Sequence, residues 1–253
     1  MSRPFLVLQL SDLHIGVADG DLDAATALAA ALDSVEALPD SPDAVVVTGD
    51  LTHSGGDDEY AIVAELLARL QVPTFVLPGN HDDRDGMRRW FHLDGAPGTP
   101  LLQAVELGPL RLVTLDSTTP GLDGGRLDGE RLEWLEQTLA AAAERPTLLA
   151  MHHPPLVTGV APWDEIGLPE PDRLALGELL ARHPQVLRVV GGHMHRTIVS
   201  ELAGRSVLAV PSTYLQGRLD FAGPEFILER EPPGFAIHAL VGEQLISHVQ
   251  PVL

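Results

Sequence analysis

Short apolar runs and amphipathic stretches alternate along the chain as far as residue 195. The runs Phe5–Leu10, Ala44–Thr48, Thr74–Leu77, Leu101–Leu107, Leu110–Leu115, Thr147–Met151 and Val186–Val190 are rich in Val and Leu. Several are continuous, as in strands buried on both faces. Between them, Asp21–Leu38 repeats apolar residues at helical spacing, placing Leu22, Ala25, Ala29, Leu32 and Val35 on one face. Asp57–Leu70 opens with acids and closes with Arg69, matching a helix macrodipole at both ends. Asp128–Ala143, with Asp128 as N-cap, and Asp172–Arg182 complete the predicted helices. Beyond His195 the period shortens. Thr197–Leu202, Ser206–Val210, Glu225–Glu229, Phe235–Leu240 and Gln244–Val249 read as short strands between Gly and Pro turns. No low-complexity linker divides the two regions. The pattern predicts a single α/β domain over residues 1–253, with a β-rich C-terminal part from about 197.

Composition narrows what that domain does. The 253 residues include no Cys, so disulfides, iron–sulfur clusters and thiolate zinc are excluded. Any metal must be held by His, Asp, Glu or Asn. All 16 basic residues are Arg, set against 36 acids for a formal charge of −20. Without Lys there is neither a Schiff base nor a P-loop lysine. A surface this acidic repels nucleic acid and anionic membranes at long range, so neither is an expected partner. No apolar run approaches the roughly 20 residues that span a bilayer. The first run lacks a signal-peptide cleavage pattern. The expected location is the cytoplasm.

Candidate chemistry collects where predicted strands end. Asp12-Leu13-His14 follows the first strand, Gly49-Asp50 the second and Gly79-Asn80-His81-Asp82 the third. Met151-His152-His153 and Gly191-Gly192-His193-Met194-His195 follow two later ones. Open α/β sheets build their sites beyond the carboxyl ends of strands. A single Asp-x-His or Gly-Asn-His is most simply a solvated turn. Five such blocks at successive strand ends are not. Strand alternation is expected to put Asp12 with His14, and His193 with His195, on one side of an extended chain. Asp50 has two oxygens and can bridge two cations, and the neutral Asn80 carbonyl completes a shell without adding charge. This oxygen and nitrogen field suits Mn, Fe, Zn or Co. With two carboxylates against two divalent ions, the site keeps positive charge and attracts phosphate despite the acidic surface.

Taken in order, Asp12-x-His14, Gly49-Asp50, Gly79-Asn80-His81-Asp82, His152 and Gly192-His193-x-His195 resemble the signature of the calcineurin-like metallophosphoesterase superfamily. Gln9–His14, Gly79–Arg84, Leu115-Asp116-Ser117, His152–Pro155, Pro211-Ser212-Thr213 and Pro233-Gly234-Phe235 are similar to its bacterial class III cyclic-nucleotide phosphodiesterase and glycerophosphodiesterase branch. The resemblance implies a four-layer α/β/β/α sandwich of two mixed β-sheets flanked by helices. It implies two divalent metal ions per chain. Asp12, His14 and His195 would hold one, Asn80, His152 and His193 the other, and Asp50 would bridge. It also implies hydrolysis of small phosphodiesters, cyclic nucleotides such as cAMP or glycerophosphodiesters, by in-line attack of a metal-bridging hydroxide. His81, beside the metals, would steady the phosphoryl oxygen or protonate the leaving alkoxide. A phosphomonoesterase or nuclease of the same superfamily is the alternative, and a non-catalytic scaffold a third reading. The chain is expected as a monomer or homodimer.

The chain departs from that pattern at His53, where many relatives carry an Asp or Asn that supports the catalytic His. Tyr214 stands where the glycerophosphodiesterase branch often has a His. It is a candidate to line the substrate entrance along with Asn80 and His81, or else a packing residue. His153 is read as supporting a ligand rather than being one. Arg84 is expected to pair with Asp82, Asp83 or Asp85, and Asp116 to shape its loop by hydrogen bonding. Trp163 is a weaker pocket candidate. His92, His183, His238 and His248 are read as structural or surface residues.

Overall fold

The computed structural model describes residues 3–252. Eleven strands form two mixed sheets. The first sheet holds β1 (Phe5–Leu10), β2 (Ala44–Thr48), β3 (Thr74–Leu77), β10 (Gly234–Val241) and β11 (Gln244–Pro251), in the order β11-β10-β1-β2-β3. The second holds β4 (Leu102–Leu107), β5 (Leu110–Leu115), β6 (Thr147–Met151), β7 (Val186–Gly191), β8 (Ile198–Leu202) and β9 (Arg205–Ala209), in the order β8-β9-β7-β6-β5-β4. Parallel pairing of β1 with β2, β2 with β3, β5 with β6 and β6 with β7 leaves their carboxyl ends on one side. The candidate residues emerge from those ends.

Alternation along the strands decides the layering. On β1 and β2, Leu8, Leu10, Val45 and Val47 face outward onto α1 (Ala24–Glu36) and α2 (Asp57–Leu67). Val7, Ala44 and Val46 face inward and meet Leu110, Leu112, Leu148, Ala150 and Val190 of the second sheet. On the far side, Val113, Leu115, Leu149 and Met151 pack on α4 (Gly129–Ala140) and α6 (Glu170–Ala181). Three apolar layers thus separate helix, sheet, sheet and helix, because the central strands are buried on both faces.

The β-rich C-terminal region is divided between the sheets. β8 and β9 extend the second, while β10 returns to pair antiparallel with β1 and β11 pairs antiparallel with β10 at the edge. Asp128 caps α4 by accepting from the Arg131 N–H at 3.0 Å. Helix α6 begins earlier than its pattern suggests, at Glu170, where Pro171 fits the first turn. On α1 the buried stripe is Ala24, Ala27, Leu28, Ala31, Leu32 and Val35. It is rotated from the expected face because alanines fill both sides of the pattern. Two short helices carry too little apolar periodicity to be read. These are α3 (Arg84–Phe91), capped by Asp83, and α5 (Ala161–Glu165). Of the strand expected at Glu225–Glu229, only Leu228–Glu229 pairs, with Gln216–Gly217. Among the described residues, no helix is long and apolar enough to cross a membrane.

Candidate metal centre

The loops leaving β1 and β2 are zipped together before any side chain is placed. The N–H groups of Asp12, His14 and Ile15 donate to the carbonyls of Gly49, Asp50 and Leu51 at 2.9–3.1 Å. Asp12, His14, Asp50, His193 and His195 all adopt positive φ, between 47° and 66°. They make up five of the eight non-glycine residues in that region among the described residues. The conformation is costly for L-residues and recurs where a site over-determines the backbone. It also corrects the expectation of strand alternation. The Asp-x-His and His-x-His pairs lie on left-handed turns past the strand ends, not on extended chain.

These turns bring two groups of ligand atoms together. Asp12, His14, Asp50 and His195 place one ligand atom each within 4.8 Å of one another. His14 Nε2 lies 3.0 Å from His195 Nε2, and His195 Nε2 lies 3.6 Å from Asp12 Oδ1. On the other side, His152 Nε2 lies 3.1 Å from Asn80 Oδ1, and the rings of His152 and His193 are 4.9 Å apart. Asp50 Oδ2 stands between the groups, 3.5 Å from His14 Nε2 and 3.4 Å from His152 Nε2. Its other oxygen accepts the His81 N–H at 3.0 Å. Gly49 and Gly79 allow this closeness. A Cβ on Gly79 would lie 2.1 Å from Asp50 Oδ1, and one on Gly49 2.5 Å from His152 Nδ1.

Backbone carbonyls fix which nitrogen of each ring is left to bind. His152 Nδ1–H donates to the Thr48 carbonyl and His195 Nδ1–H to the Leu215 carbonyl, both at 2.8 Å. Both Nε2 atoms therefore present lone pairs to the centre. His193 is reversed: Nε2–H donates to the Ile166 carbonyl at 2.9 Å, which leaves Nδ1 as its ligating atom. Convergent lone pairs on buried imidazole, carboxylate and amide oxygen repel unless a cation lies among them. The donor set therefore fits two divalent cations. Protonation tells the same story. Burial holds His14 and His193 well below the ordinary imidazole range, in the neutral form that binds metal. Burial raises Asp50, but His152 and His14 outweigh it and hold the carboxyl well below the usual range. For His152, burial is outweighed by Asp50 and Asp12, and the imidazole is pulled up to about 9. A cation bound there would take the place of the proton that His152 Nε2 otherwise holds beside Asp50 and Asn80.

Around this centre, Asp82 accepts from the N–H groups of Leu51, Thr52 and Gly79 and from the Thr52 hydroxyl, at 2.8–3.1 Å. It ties the β2 loop to the β3 loop, and burial with the nearby Asp50 pushes it up to about 6. His81 Nδ1–H donates to the backbone carbonyl of His53 at 2.8 Å, and the two rings stack with centroids 5.0 Å apart. His81 is thus oriented by the main chain at position 53, not by a side chain there. His81 and Asn80 line a cavity of about 380 Å³ with Ser54, Arg84, Thr119 and Gly121. Arg84 makes a two-pronged ion pair with Asp116 (2.7 and 3.2 Å), correcting the expected pairing with Asp82, Asp83 or Asp85. Asp116 also accepts from the N–H groups of Leu101 and Thr118, which shapes its loop. His153 accepts from the Ser117 hydroxyl and donates to the Asp123 carbonyl, so both ring nitrogens are engaged.

Tyr214 does not reach the entrance. It is 3% exposed in the core under α1, and its hydroxyl donates to the Leu22 carbonyl at 3.2 Å. The packing reading holds because its loop turns inward after Ser212. Trp163 is likewise buried, against Val160, Met194 and Phe226. Asp82 lay within a recognised motif but carried no assigned role. The carbonyls of Thr48, Ile166 and Leu215 leave no signal in a sequence at all.

The description "Calcineurin-like phosphoesterase" belongs to the family model that matches residues 5–197. The chain belongs to the calcineurin-like phosphoesterase family. One relative of this phosphoesterase is a probable glycerophosphodiester phosphodiesterase GpdQ of Arcobacter nitrofigilis. It is 34% identical, over 96% of this chain and 92% of its own. Another is the 3',5'-cyclic adenosine monophosphate phosphodiesterase CpdA of Pseudomonas aeruginosa, 35% identical over 91% of this chain and 83% of its own. A dimetal phosphatase from Danio rerio shares the fold of this phosphoesterase with a TM-score of 0.72 at 16% identity, over 100% of this chain and 98% of that one.

Proposed function

We propose that this phosphoesterase is a dinuclear metal-dependent phosphodiesterase acting on small phosphodiesters, with 3',5'-cyclic nucleotides and glycerophosphodiesters as the leading classes. The observation that carries the reading is Asp50 Oδ2 shared between two ligand groups, with His81 alongside. The names of the relatives at 34% and 35% identity support the choice of a diester. Asp12, His14 and His195 would hold one cation and Asn80, His152 and His193 the other, with Asp50 between them. Two bound divalent ions supply Lewis-acid polarisation of the phosphoryl oxygens and a water acidified towards neutral pKa.

The protein's own residues do the rest. Asp12 accepts the His193 N–H at 3.0 Å, so each carboxylate is aimed by a backbone donor from another strand end. His81, anchored through Nδ1, has Nε2 left for the substrate. In its protonated form it donates that proton to the departing alkoxide, the demanding step for an alkyl diester.

The test is turnover of an aryl diester, an aryl monoester, cyclic AMP and a glycerophosphodiester by protein reconstituted with Mn²⁺. Asp50→Ala is expected to lose bound metal and diester turnover together. Full activity in that variant overturns the mechanism. A monoester preferred over every diester assigns the site to a phosphomonoesterase.

A further inference from the structure

One polar residue on each central strand of the first sheet faces inward, into the apolar layer between the sheets. Gln9 on β1, Thr48 on β2 and His238 on β10 are all fully buried there. Their neighbours on that face are Val7, Val46 and Ala236, which pack on Leu148, Ala150 and Val190. Such groups are tolerated only when satisfied, and these are linked into a chain.

Each member donates to the next. Arg188 donates to Ser247 Oγ, and the Ser247 hydroxyl to His238 Nδ1 at 2.5 Å. His238 Nε2–H donates to Gln9 Oε1 at 2.9 Å. The Gln9 amide then donates twice, to Thr48 Oγ1 at 2.9 Å and to the Gly191 carbonyl at 3.1 Å. Thr48 Oγ1 donates to Ser11 Oγ at 2.8 Å. The Gly191 carbonyl has no N–H of its own to give, so the amide orientation of Gln9 is fixed. His238, neutral because burial pushes it down to about 3, keeps its proton on Nε2 for the same reason.

The ends of this chain are the roots of the metal centre. Ser11 precedes Asp12, Thr48 precedes Gly49-Asp50, and Gly191 precedes Gly192-His193. The Thr48 carbonyl is also the acceptor that orients His152. Gln9 therefore joins three strand ends, two from one sheet and one from the other, just beneath the ligands they deliver.

We infer that Gln9, held by His238, is a positioning residue that sets the spacing of the two halves of the metal centre across the sheet interface. This rests on reading that centre as a two-metal site. Apolar packing holds the sheets together but is non-directional, and leaves their lateral register some freedom. The directional bonds of Gln9 remove that freedom, and metal affinity is sensitive to such support.

The experiment is Mn²⁺ titration by calorimetry, with metal content measured separately by mass spectrometry. The proteins are wild type, Gln9→Met, Gln9→Asn and His238→Gln. Met conserves volume and removes both donors. Asn keeps an amide but is one methylene too short to reach both acceptors. Gln at 238 restores a donor to Gln9. Wild type is expected to bind two equivalents. Gln9→Met and Gln9→Asn are expected to weaken one equivalent by about ten- to a hundredfold, with turnover recovered at high Mn²⁺. His238→Gln should stay close to wild type. If Gln9→Met does not fold, Gln9→Asn alone decides. Wild-type metal affinity in a folded Gln9 variant, with only a lower melting temperature, overturns the inference. Failure of the wild-type protein to take up two equivalents instead overturns the reading of the centre.

Discussion

His81 shows how little of a residue's role its identity conveys. Its partner is the carbonyl at position 53, so no carboxylate stands behind it as a relay. In the proposed mechanism its contribution is proton delivery, which matters most for poor leaving groups. His81→Ala is therefore expected to lower kcat about 10²- to 10⁴-fold for an alkyl diester. The loss should be much smaller for an aryl diester, with two metals still bound by mass spectrometry. His238 gives a second expectation, on stability. The unfolded chain takes up a proton at this imidazole near its ordinary value of 6.5, whereas the folded protein resists until about 3. As pH falls through that window the unfolded state binds more protons, so stability is lost. The loss is about 2 kcal/mol between pH 7 and pH 5 from this residue alone. Urea unfolding at the two pH values checks this, and His238→Gln should flatten the dependence by that amount.

Strands were more legible than helices, and helices more than turns. All seven runs expected before residue 191 keep at least one boundary to the residue, and five keep both, because continuous Val and Leu runs have no alternative when buried on both faces. Helix α3 was hidden because its eight residues include three Arg and bury only one large apolar side chain, Met87. The turns after the strands carry the chemistry, and their left-handed residues follow no periodicity. Asp, Asn and His tolerate that conformation better than other residues. The composition of the blocks was therefore consistent with it, though extended chain was the expectation. The turns are packed so closely that a methyl group matters. Gly79→Ala places a carbon 2.1 Å from Asp50 Oδ1. The turn must shift in response, at a cost of about 1–3 kcal/mol in stability. Weaker metal uptake should accompany it, read by thermal melts with and without Mn²⁺.

At the scale of the whole molecule, charge and site oppose each other. The chain carries −20, yet its proposed substrate is an anion. At low ionic strength the approach is governed by the entire acidic surface, since screening extends about 30 Å at 0.01 M salt and about 8 Å at 0.15 M. For a net-anionic diester such as cyclic AMP, kcat/KM should rise as salt increases over that range. For a zwitterionic diester it should stay nearly flat. A fall for the anionic substrate would mean that the positive charge of the bound metals dominates the approach.

What the sequence determined by itself is the inventory: the strands, the ligand types, their order and their placement at strand ends. Hydrophobic period and residue chemistry are local properties that survive in one dimension. Only the tertiary structure decided which ring nitrogen each histidine presents, that Asp50 stands between two groups, that Tyr214 turns into the core and that Gln9 spans the sheets. Each of these depends on a partner far away along the chain, often a backbone carbonyl that every residue possesses. A hydrogen bond between residues 9 and 191 exists only once two sheets have closed on each other.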